Sequence, residues 1–198
     1  MLNAGQATKF AMGAGVKTLT RLLDLHARDL LCSGASVLDV GVQEIYAEGS
    51  DDHIRAFIQY FSGQDSRLKP AEAYSEAEIA RLADRGYAEE LLVASGFKYR
   101  SIDLFQGYNT ILFDFNIHQP SQQLAGQFDL VTSLGTTEHI INQYQAMKSI
   151  HEFTKTGGLI YHDLPMSGYY MHGYYSYNPL FFQIWRLLTI TKSYSSSI

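Results

Sequence analysis

One short apolar segment constrains the fold of this chain more than any other feature. Residues 36–42 form a continuous apolar run that contains a single acid, Asp39, and closes around a glycine, Gly41. Such a run predicts a strand buried on both faces, and strands of that kind occur in parallel sheets covered by helices. Further segments with strand character lie at 97–104, 110–115, 128–133 and 158–162.

Segments with helical periodicity lie before and between these strands, at 16–31, 51–61, 75–86, 87–95 and 142–154. Two of them carry N-terminal signals. Asp51 and Asp52 suit the positive end of a helix dipole, and residues 75–78 (SEAE) have the form of a capping box. The order of strands and helices predicts an α/β fold, with a mostly parallel sheet that has helices on both faces.

Composition excludes several classes of protein. With 198 residues, 15 Lys and Arg, and 20 Asp and Glu, the net charge is -5, which argues against a nucleic-acid partner. The sequence has no run of about 18 apolar residues, so we expect no membrane span. The first ten residues lack the apolar stretch of a secretory signal. The single cysteine, Cys32, fits a reducing compartment. We therefore expect one cytoplasmic domain over 1–198.

Acidic side chains follow three of the predicted strands. Asp39, Asp103 and Asp114 are placed at or near strand ends, where parallel sheets bind their ligands. A carboxylate accepts hydrogen bonds well from a ribose diol, and an unpaired buried acid is costly, so the set favours a ligand site. The alternative is that each aspartate only caps the loop or helix that follows it.

Five segments in order resemble motifs of the class I S-adenosylmethionine-dependent methyltransferases. They are residues 37–41 (VLDVG), 99–103 (YRSID), 110–114 (TILFD), 128–133 (FDLVTS) with Glu138 and His139, and 155–160 (KTGGLI). The resemblance implies a Rossmann-like fold, S-adenosyl-L-methionine as cofactor, and a small-molecule acceptor. It also implies site roles: the cofactor turn for Asp39 and Gly41, the methionine moiety for Gln43, the ribose for Asp103, the adenine side for Asp114, and the pocket floor for Ser133 and Leu134.

The sequence departs from that family in three places. Residues 42–45 lack further glycines, so the cofactor turn is poor in glycine. The stretch between Asp39 and Asp103 is long, which predicts a helical insertion at about 44–96. The linker 104–109 is too short for a crossover helix, but its six residues can reach about 20 Å when extended, so a bare crossover is possible.

Histidines in the second half of the chain are candidates for a general base. We predict that His139 or His172 takes this role. His139 and His162 follow two neighbouring strands and could face one cleft. The alternative is that His162 is a core residue and His139 caps a helix. A metal site made of Glu138, His139 and His162 has no ligand spacing to recommend it, so we expect no metal.

Aromatic residues are dense near the end of the chain, where residues 165–185 could form a lid over the acceptor. They are Tyr169, Tyr170, Tyr174, Tyr175, Tyr177, Phe181, Phe182 and Trp185. Members of the resembled family continue past their fifth strand with a helix and two more strands. After Asp163 only 35 residues remain, enough for an apolar helix at 179–190 and at most one short strand, so we expect the last strands to be missing. The 158–162 strand would then be an exposed edge, open to self-association.

Two other functions compete with methyl transfer. The glycine-poor turn favours a degenerate fold retained as a binding or scaffold module. A nicotinamide-dependent oxidoreductase is weaker, because the first strand is not followed by G-x-G-x-x-G.

Overall fold

The computed structural model describes residues 13–47, 49–107, 109–167 and 172–189, with side chains up to Trp185. The predicted lid residues Tyr169 and Tyr170, the polar end of the chain and the first ten residues lie outside this part. The helices are α1 (Val16–Ala27), α2 (Asp51–Ser62), α3 (Glu76–Ala83), α4 (Ala88–Ala94), α5 (Gln143–Phe153) and α6 (Pro179–Thr189). The strands are β1 (Ala14–Gly15), β2 (Ser36–Val40), β3 (Glu44–Tyr46), β4 (Asp84–Tyr87), β5 (Lys98–Asp103), β6 (Thr110–Leu112), β7 (Phe128–Leu134) and β8 (Thr154–Asp163).

Five strands form a parallel sheet in the order β6-β5-β2-β7-β8. The strand β2 is central, and its Asp39 pairs with Ser101 of β5 on one side and Thr132 of β7 on the other. This confirms the parallel sheet, and it explains why the 36–42 run is apolar on both of its faces.

Helices cover both faces of this sheet, as predicted. On one face α1, α2, α3 and α4 pack against Val37 and Leu130. On the other face α5 packs against Leu38, Val40 and Val131. Because alternate residues of a strand point to opposite faces, the side chain of Asp39 is directed to the same face as that of Val37, toward α1.

The segment between β2 and β5 contains α2, α3 and α4, and the predicted capping box at Ser75 and Glu78 is formed. It also contributes to a small sheet in the order β1-β3-β4, which the sequence did not predict. The strand β4 reads Asp-Arg-Gly-Tyr and is mostly exposed, so it has no apolar alternation to detect. An ion pair of 2.8 Å between Arg85 and Glu44 links β4 to β3.

The connection from β5 to β6 has no helix in its described residues, 104–107 and 109. The two strands nevertheless pair in parallel, with Ser101 opposite Thr110 and Asp103 opposite Leu112. The bare crossover is therefore confirmed. The strand β6 ends at Leu112 rather than at 115, because Asp114 begins a turn with Asn116.

A charged cluster joins three strands at the amino end of the sheet. Asp129 Oδ2 accepts hydrogen bonds from the backbone N–H and the hydroxyl of Ser36, at 2.8 and 2.6 Å, and Lys155 Nζ lies 2.8 Å from Oδ1. Partial burial raises the pKa of Asp129, but the hydrogen bonds from Lys155 and Ser36 outweigh it and hold this pKa at about 2. The cluster fastens β2, β7 and β8 at the end opposite to the ligand-binding end.

The strand β8 is an edge of the sheet within the described residues, as predicted. The apolar segment after it forms α6, whose Trp185 is partly exposed and contacts Phe181 and Tyr144. In the described part of the chain, every helix is too short or too polar to cross a lipid bilayer.

Candidate active site at the carboxyl ends of the strands

Asp39 is an internal brace and does not face a cleft. It is 2% exposed, and its carboxylate accepts hydrogen bonds from Tyr99 Oη at 2.7 Å and from the Thr132 hydroxyl. Burial raises the pKa of Asp39 to about 6, although both hydrogen bonds act to lower it. The idea of three acids at three adjacent strand ends is therefore wrong for Asp39, which lies on the face covered by α1.

The turn after β2 is shaped by Gly41. Its φ of +89° favours glycine, and a Cβ at this position would lie 2.5 Å from Thr136 Oγ1 and 3.0 Å from Gln43 Nε2. Gln43 is 5% exposed, and its Nε2 donates to Val40 O and to Thr136 Oγ1, both at 3.1 Å. The amide of Gln43 thus braces the turn, and both of its N–H groups are used inside the protein.

Asp103 links the ends of two neighbouring strands. Its Oδ2 accepts the backbone N–H of Val42 at 2.9 Å, and its Oδ1 accepts that of Phe105 at 3.1 Å. The Gly41 N–H also donates to Ile102 O at 2.8 Å, so the turn is fixed to the end of β5. Each carboxylate oxygen has a second lone pair, and the side chain is partly exposed, so Asp103 can still accept hydrogen bonds from a ligand.

Asp114 lies two residues past β6, the neighbour of β5 in the sheet. Its Oδ1 accepts from the backbone and side-chain nitrogens of Asn116, at 2.8 and 2.9 Å. This oxygen of Asp114 therefore caps the turn that follows β6, which was the alternative to ligand binding. The side chain is partly exposed at the carboxyl end of the sheet, next to the strand that carries Asp103.

The side chains of Ser133 and Leu134 do not line an open cleft. Ser133 is fully buried, and its hydroxyl lies 3.4 Å from Thr137 Oγ1. Leu134 belongs to the core on the α1 face, where it borders an internal cavity of about 20 Å³. The prediction that these two side chains form the pocket floor is therefore wrong, because β7 is covered on both faces up to its last residue.

The Glu138, His139 and His172 side chains meet beyond the end of β7. Glu138 is 0% exposed, and its Oε1 lies 3.2 Å from His172 Nε2 and 3.8 Å from His139 Nε2. Its Oε2 is buried and has no hydrogen-bond partner among the described residues. Burial raises the pKa of Glu138, and the two histidines oppose this shift. A buried carboxylate that contacts two imidazoles suits proton transfer or cation binding.

His172 reaches Glu138 because the residues after it are docked on the segment that follows β7. Tyr174 N–H donates to Glu138 O at 2.8 Å, and Tyr175 Oη donates to Ile141 O at 2.9 Å. Tyr177 is buried, which raises its pKa to about 12, and its Oη donates to Gln143 Oε1 at 2.7 Å. Residues 172–177 therefore cover one side of this region, where the lid was predicted.

His162 does not join His139. It lies at the end of β8, where its ring packs at 4.9 Å from that of Phe182. Burial lowers the pKa of His162 to about 4, so the imidazole is neutral at physiological pH. The prediction that His139 and His162 face one cleft is wrong; the partner of His139 is His172, with ring centroids 5.2 Å apart.

Sequence reasoning missed two features of this site. One is Thr136, which fills the space over Gly41. The other is the approach of His172 to Glu138. A signal for it was present at Gly173, where a Cβ would lie 2.7 Å from Glu138 Cγ. A single glycine in a loop does not, however, indicate which residue packs against it.

Comparison with known proteins identifies the family. A family model described as a methyltransferase domain matches residues 83–190, just over half of the chain. The chain belongs to the methyltransferase domain family. The matched region of this methyltransferase domain includes β5–β8, Asp103, Asp114 and the Glu138, His139 and His172 cluster, whereas β2 and the Gly41 turn precede it. This family and the five-stranded parallel sheet support the class I resemblance. No curated protein matches the chain.

Proposed function

We propose that this protein transfers a methyl group from S-adenosyl-L-methionine to a small-molecule acceptor. The family supports methyl transfer, and the observation that carries the choice of cofactor is the position of Asp103. Its carboxylate lies at the end of β5 beside the Gly41 turn, where open parallel sheets bind nucleotides.

The residues at this end of the sheet fit the cofactor. Asp103 would accept hydrogen bonds from the ribose hydroxyls, and Asp114 would lie on the adenine side. Gly41 fixes the turn to the end of β5 through Ile102, and Gln43 keeps its shape through Val40 and Thr136. Asp39 braces β2 beneath the turn through Tyr99 and Thr132. When bound, the cofactor supplies an activated methyl group on a sulfonium. The protein's task is to align the acceptor with this group and to exclude water.

The Glu138, His139 and His172 cluster supports acceptor activation. Buried Glu138 would orient His172 through the 3.2 Å contact, so that His172 or the more exposed His139 removes a proton from the acceptor. Residues 165–185 would act as a lid, because 172–177 dock beside this cluster. We also propose that residues 1–198 act as one domain in the cytoplasm, with 44–96 as an insertion that faces the acceptor.

A test of the cofactor assignment compares Asp103→Ala with Asp114→Ala. We expect Asp103→Ala to weaken S-adenosylmethionine binding by about 1.5–3 kcal/mol, roughly 10- to 150-fold, because it loses charge-assisted hydrogen bonds to two hydroxyls. Asp114→Ala should lose less, because Asp114 would make at most one such bond. Isothermal titration calorimetry measures both dissociation constants.

Asp103 also holds the Val42 N–H, so Asp103→Asn serves as a second variant that keeps the shape of the side chain. Its amide oxygen accepts only one of the two backbone N–H groups that Asp103 holds, so far-UV circular dichroism checks that the variant is folded. The folded variant should bind the cofactor more weakly than Asp114→Ala does. Equal or reversed losses at the two positions would refute the assignment of β5.

A binding or scaffold module without turnover is the second candidate. It is favoured by the turn itself, because Thr136 and Gln43 occupy the space over Gly41 that a ligand could otherwise approach. The same calorimetric titration separates the two candidates. If S-adenosylmethionine does not bind at high concentration, methyl transfer is excluded and the binding or scaffold module remains as the candidate function.

Self-association through β8 is a further part of this proposal. The strand is an edge in the described part of the chain, and unpaired N–H and C=O groups on an edge can pair with another chain. We expect sedimentation velocity to show a concentration-dependent increase in mass. Hydrogen exchange at 159–163 should slow as protein concentration rises, while exchange in β2 stays constant. A monomer at every concentration would contradict this prediction.

A further inference from the structure

The Glu138, His139 and His172 side chains bring together atoms that commonly ligate metal ions. One carboxylate oxygen and two imidazole nitrogens lie within 4.8 Å of one another. They come from two segments of the chain, Glu138 and His139 from the turn after β7 and His172 from the docked segment 172–177. The set that was considered from the sequence contained His162, which the structure places elsewhere.

We propose that Glu138, His139 and His172 bind one divalent transition-metal cation of the zinc type. One carboxylate with two imidazoles is a donor set that zinc uses in sites with an open position. Bonds of about 2.0–2.1 Å in a tetrahedron put neighbouring ligand atoms about 3.4 Å apart. The observed separations from Glu138 Oε1, 3.2 Å to His172 and 3.8 Å to His139, are close to this value.

An independent observation comes from the burial of Glu138. The side chain is 0% exposed, and Oε2 has no hydrogen-bond partner in the described part of the chain. A buried carboxylate with an unpaired oxygen is costly, and a cation beside it would offset that cost. The cluster is also accessible from solvent, because the side chain of His139 is 48% exposed, so an ion has a path to enter.

A bound cation would narrow the acceptor class, and this step rests on the proposed methyl transfer. The cluster is close to the cofactor turn, since Thr136, two residues before Glu138, contacts Gly41 and Gln43. A cation lowers the pKa of a hydroxyl that coordinates it. His139 and His172 would then be ligands of the cation, and this role would replace the base role proposed above. The hydroxyl proton would leave to solvent, the oxygen lone pair would form the O–CH₃ bond, and the electron pair of the breaking CH₃–S bond would return to sulfur. The acceptors would thus carry an ionisable hydroxyl that reaches the open position of the cation.

The experiment measures metal binding directly, without cofactor or substrate. Tag-free protein is treated with a chelator and titrated with Zn²⁺ in a calorimeter and with Co²⁺ in a visible spectrometer. We expect one equivalent to bind, with Co²⁺ absorption typical of nitrogen and oxygen ligands. His139→Ala and His172→Ala should each weaken binding by at least about 100-fold. His53→Ala, a change at an exposed histidine on α2, should bind like the wild type.

Two more variants test the geometry. Glu138→Gln keeps the size of the side chain but removes its charge, and should lower affinity as the histidine variants do. Gly173→Ala keeps all three ligands, but its Cβ would lie 2.7 Å from Glu138 Cγ, so it should displace His172 and weaken binding. Far-UV circular dichroism checks that each variant is folded.

The proposal is overturned if the wild type binds no Zn²⁺ or Co²⁺, or if the His139→Ala/His172→Ala double variant binds with unchanged affinity. Its failure is distinct from that of the proposed function. If the protein binds S-adenosylmethionine but no metal, the metal site is refuted and methyl transfer with an imidazole base remains. If it binds the metal but no S-adenosylmethionine, the metal site stands and the proposed function fails.

Discussion

Replacing Gly41 with alanine should lower the free energy of unfolding by about 3 kcal/mol. Part of this loss comes from the backbone, because a φ of +89° costs an alanine roughly 1–2 kcal/mol. The remainder comes from the new Cβ, which would lie 2.5 Å from Thr136 Oγ1 and 3.0 Å from Gln43 Nε2 and must push both aside. Chemical denaturation with urea measures the change.

The chain offers a matched control in Gly157. Its φ is +81°, and a Cβ there would have no atom within 4 Å, so Gly157→Ala measures the backbone cost without the clash. The Gly41→Ala/Thr136→Ala double variant removes the clashing hydroxyl and should recover part of the loss. Equal destabilisation by Gly41→Ala and Gly157→Ala would show that the space over Gly41 is not tightly filled.

Asp39→Asn should change how stability depends on pH, by about 2 kcal/mol between pH 4 and pH 7. In the folded protein the pKa of Asp39 is raised from 3.8 to about 6, so the folded state binds the proton more tightly than the unfolded state does. The wild type therefore loses stability as pH rises through this window. At about 1.4 kcal/mol per pKa unit, the complete loss is about 3 kcal/mol, of which about 2 kcal/mol falls between pH 4 and pH 7. Asparagine does not titrate, so the variant lacks this loss.

The pH dependence of the wild type alone is not sufficient, because His162 changes the free energy of unfolding with pH in the opposite direction. The prediction therefore compares the wild type with variants at each pH. Its pKa is lowered to about 4, so the folded protein gains stability from this group as pH rises toward 6.5. Asp129→Asn is a suitable control. The pKa of Asp129 is held at about 2, so its contribution changes mainly below pH 5, and its difference from the wild type should change by only about 0.3 kcal/mol from pH 4 to pH 7. A constant difference for Asp39→Asn as well would contradict the raised pKa.

Local patterns in the sequence were sufficient for the main elements and for their layering. The apolar run around Asp39 predicted a strand buried on both faces, and the capping box at Ser75 marked the start of α3 correctly. These features depend on neighbours in sequence, which a periodic pattern records. The strand β4 has no such pattern, because Arg85 and its neighbours are mostly exposed and are held by Glu44 from another segment.

The candidate site was harder to predict because its contacts join distant segments. The sequence indicated Glu138 and His139 as a pair, but the ring that completes the cluster depends on how the loop after β8 docks. Asp39 was interpreted as a strand-end acid, whereas its position within β2 sends it to Tyr99 and Thr132. Which face of a doubly buried strand an acid occupies depends on the strands beside it, and strand order is a tertiary property.

The position of β2 in the sheet has a consequence for folding kinetics. Val37 pairs with Tyr99 on one side and with Leu130 on the other, so the strand that joins the two halves of the sheet is synthesised long before either neighbour. Such high contact order predicts slow folding, because the entropy cost of closing long loops is incurred before the stabilising strand pairs form. A fragment that begins at residue 83 would hold β5 and β7 with nothing between them. Mixing it with a separate fragment of residues 1–82 should restore cooperative folding by complementation.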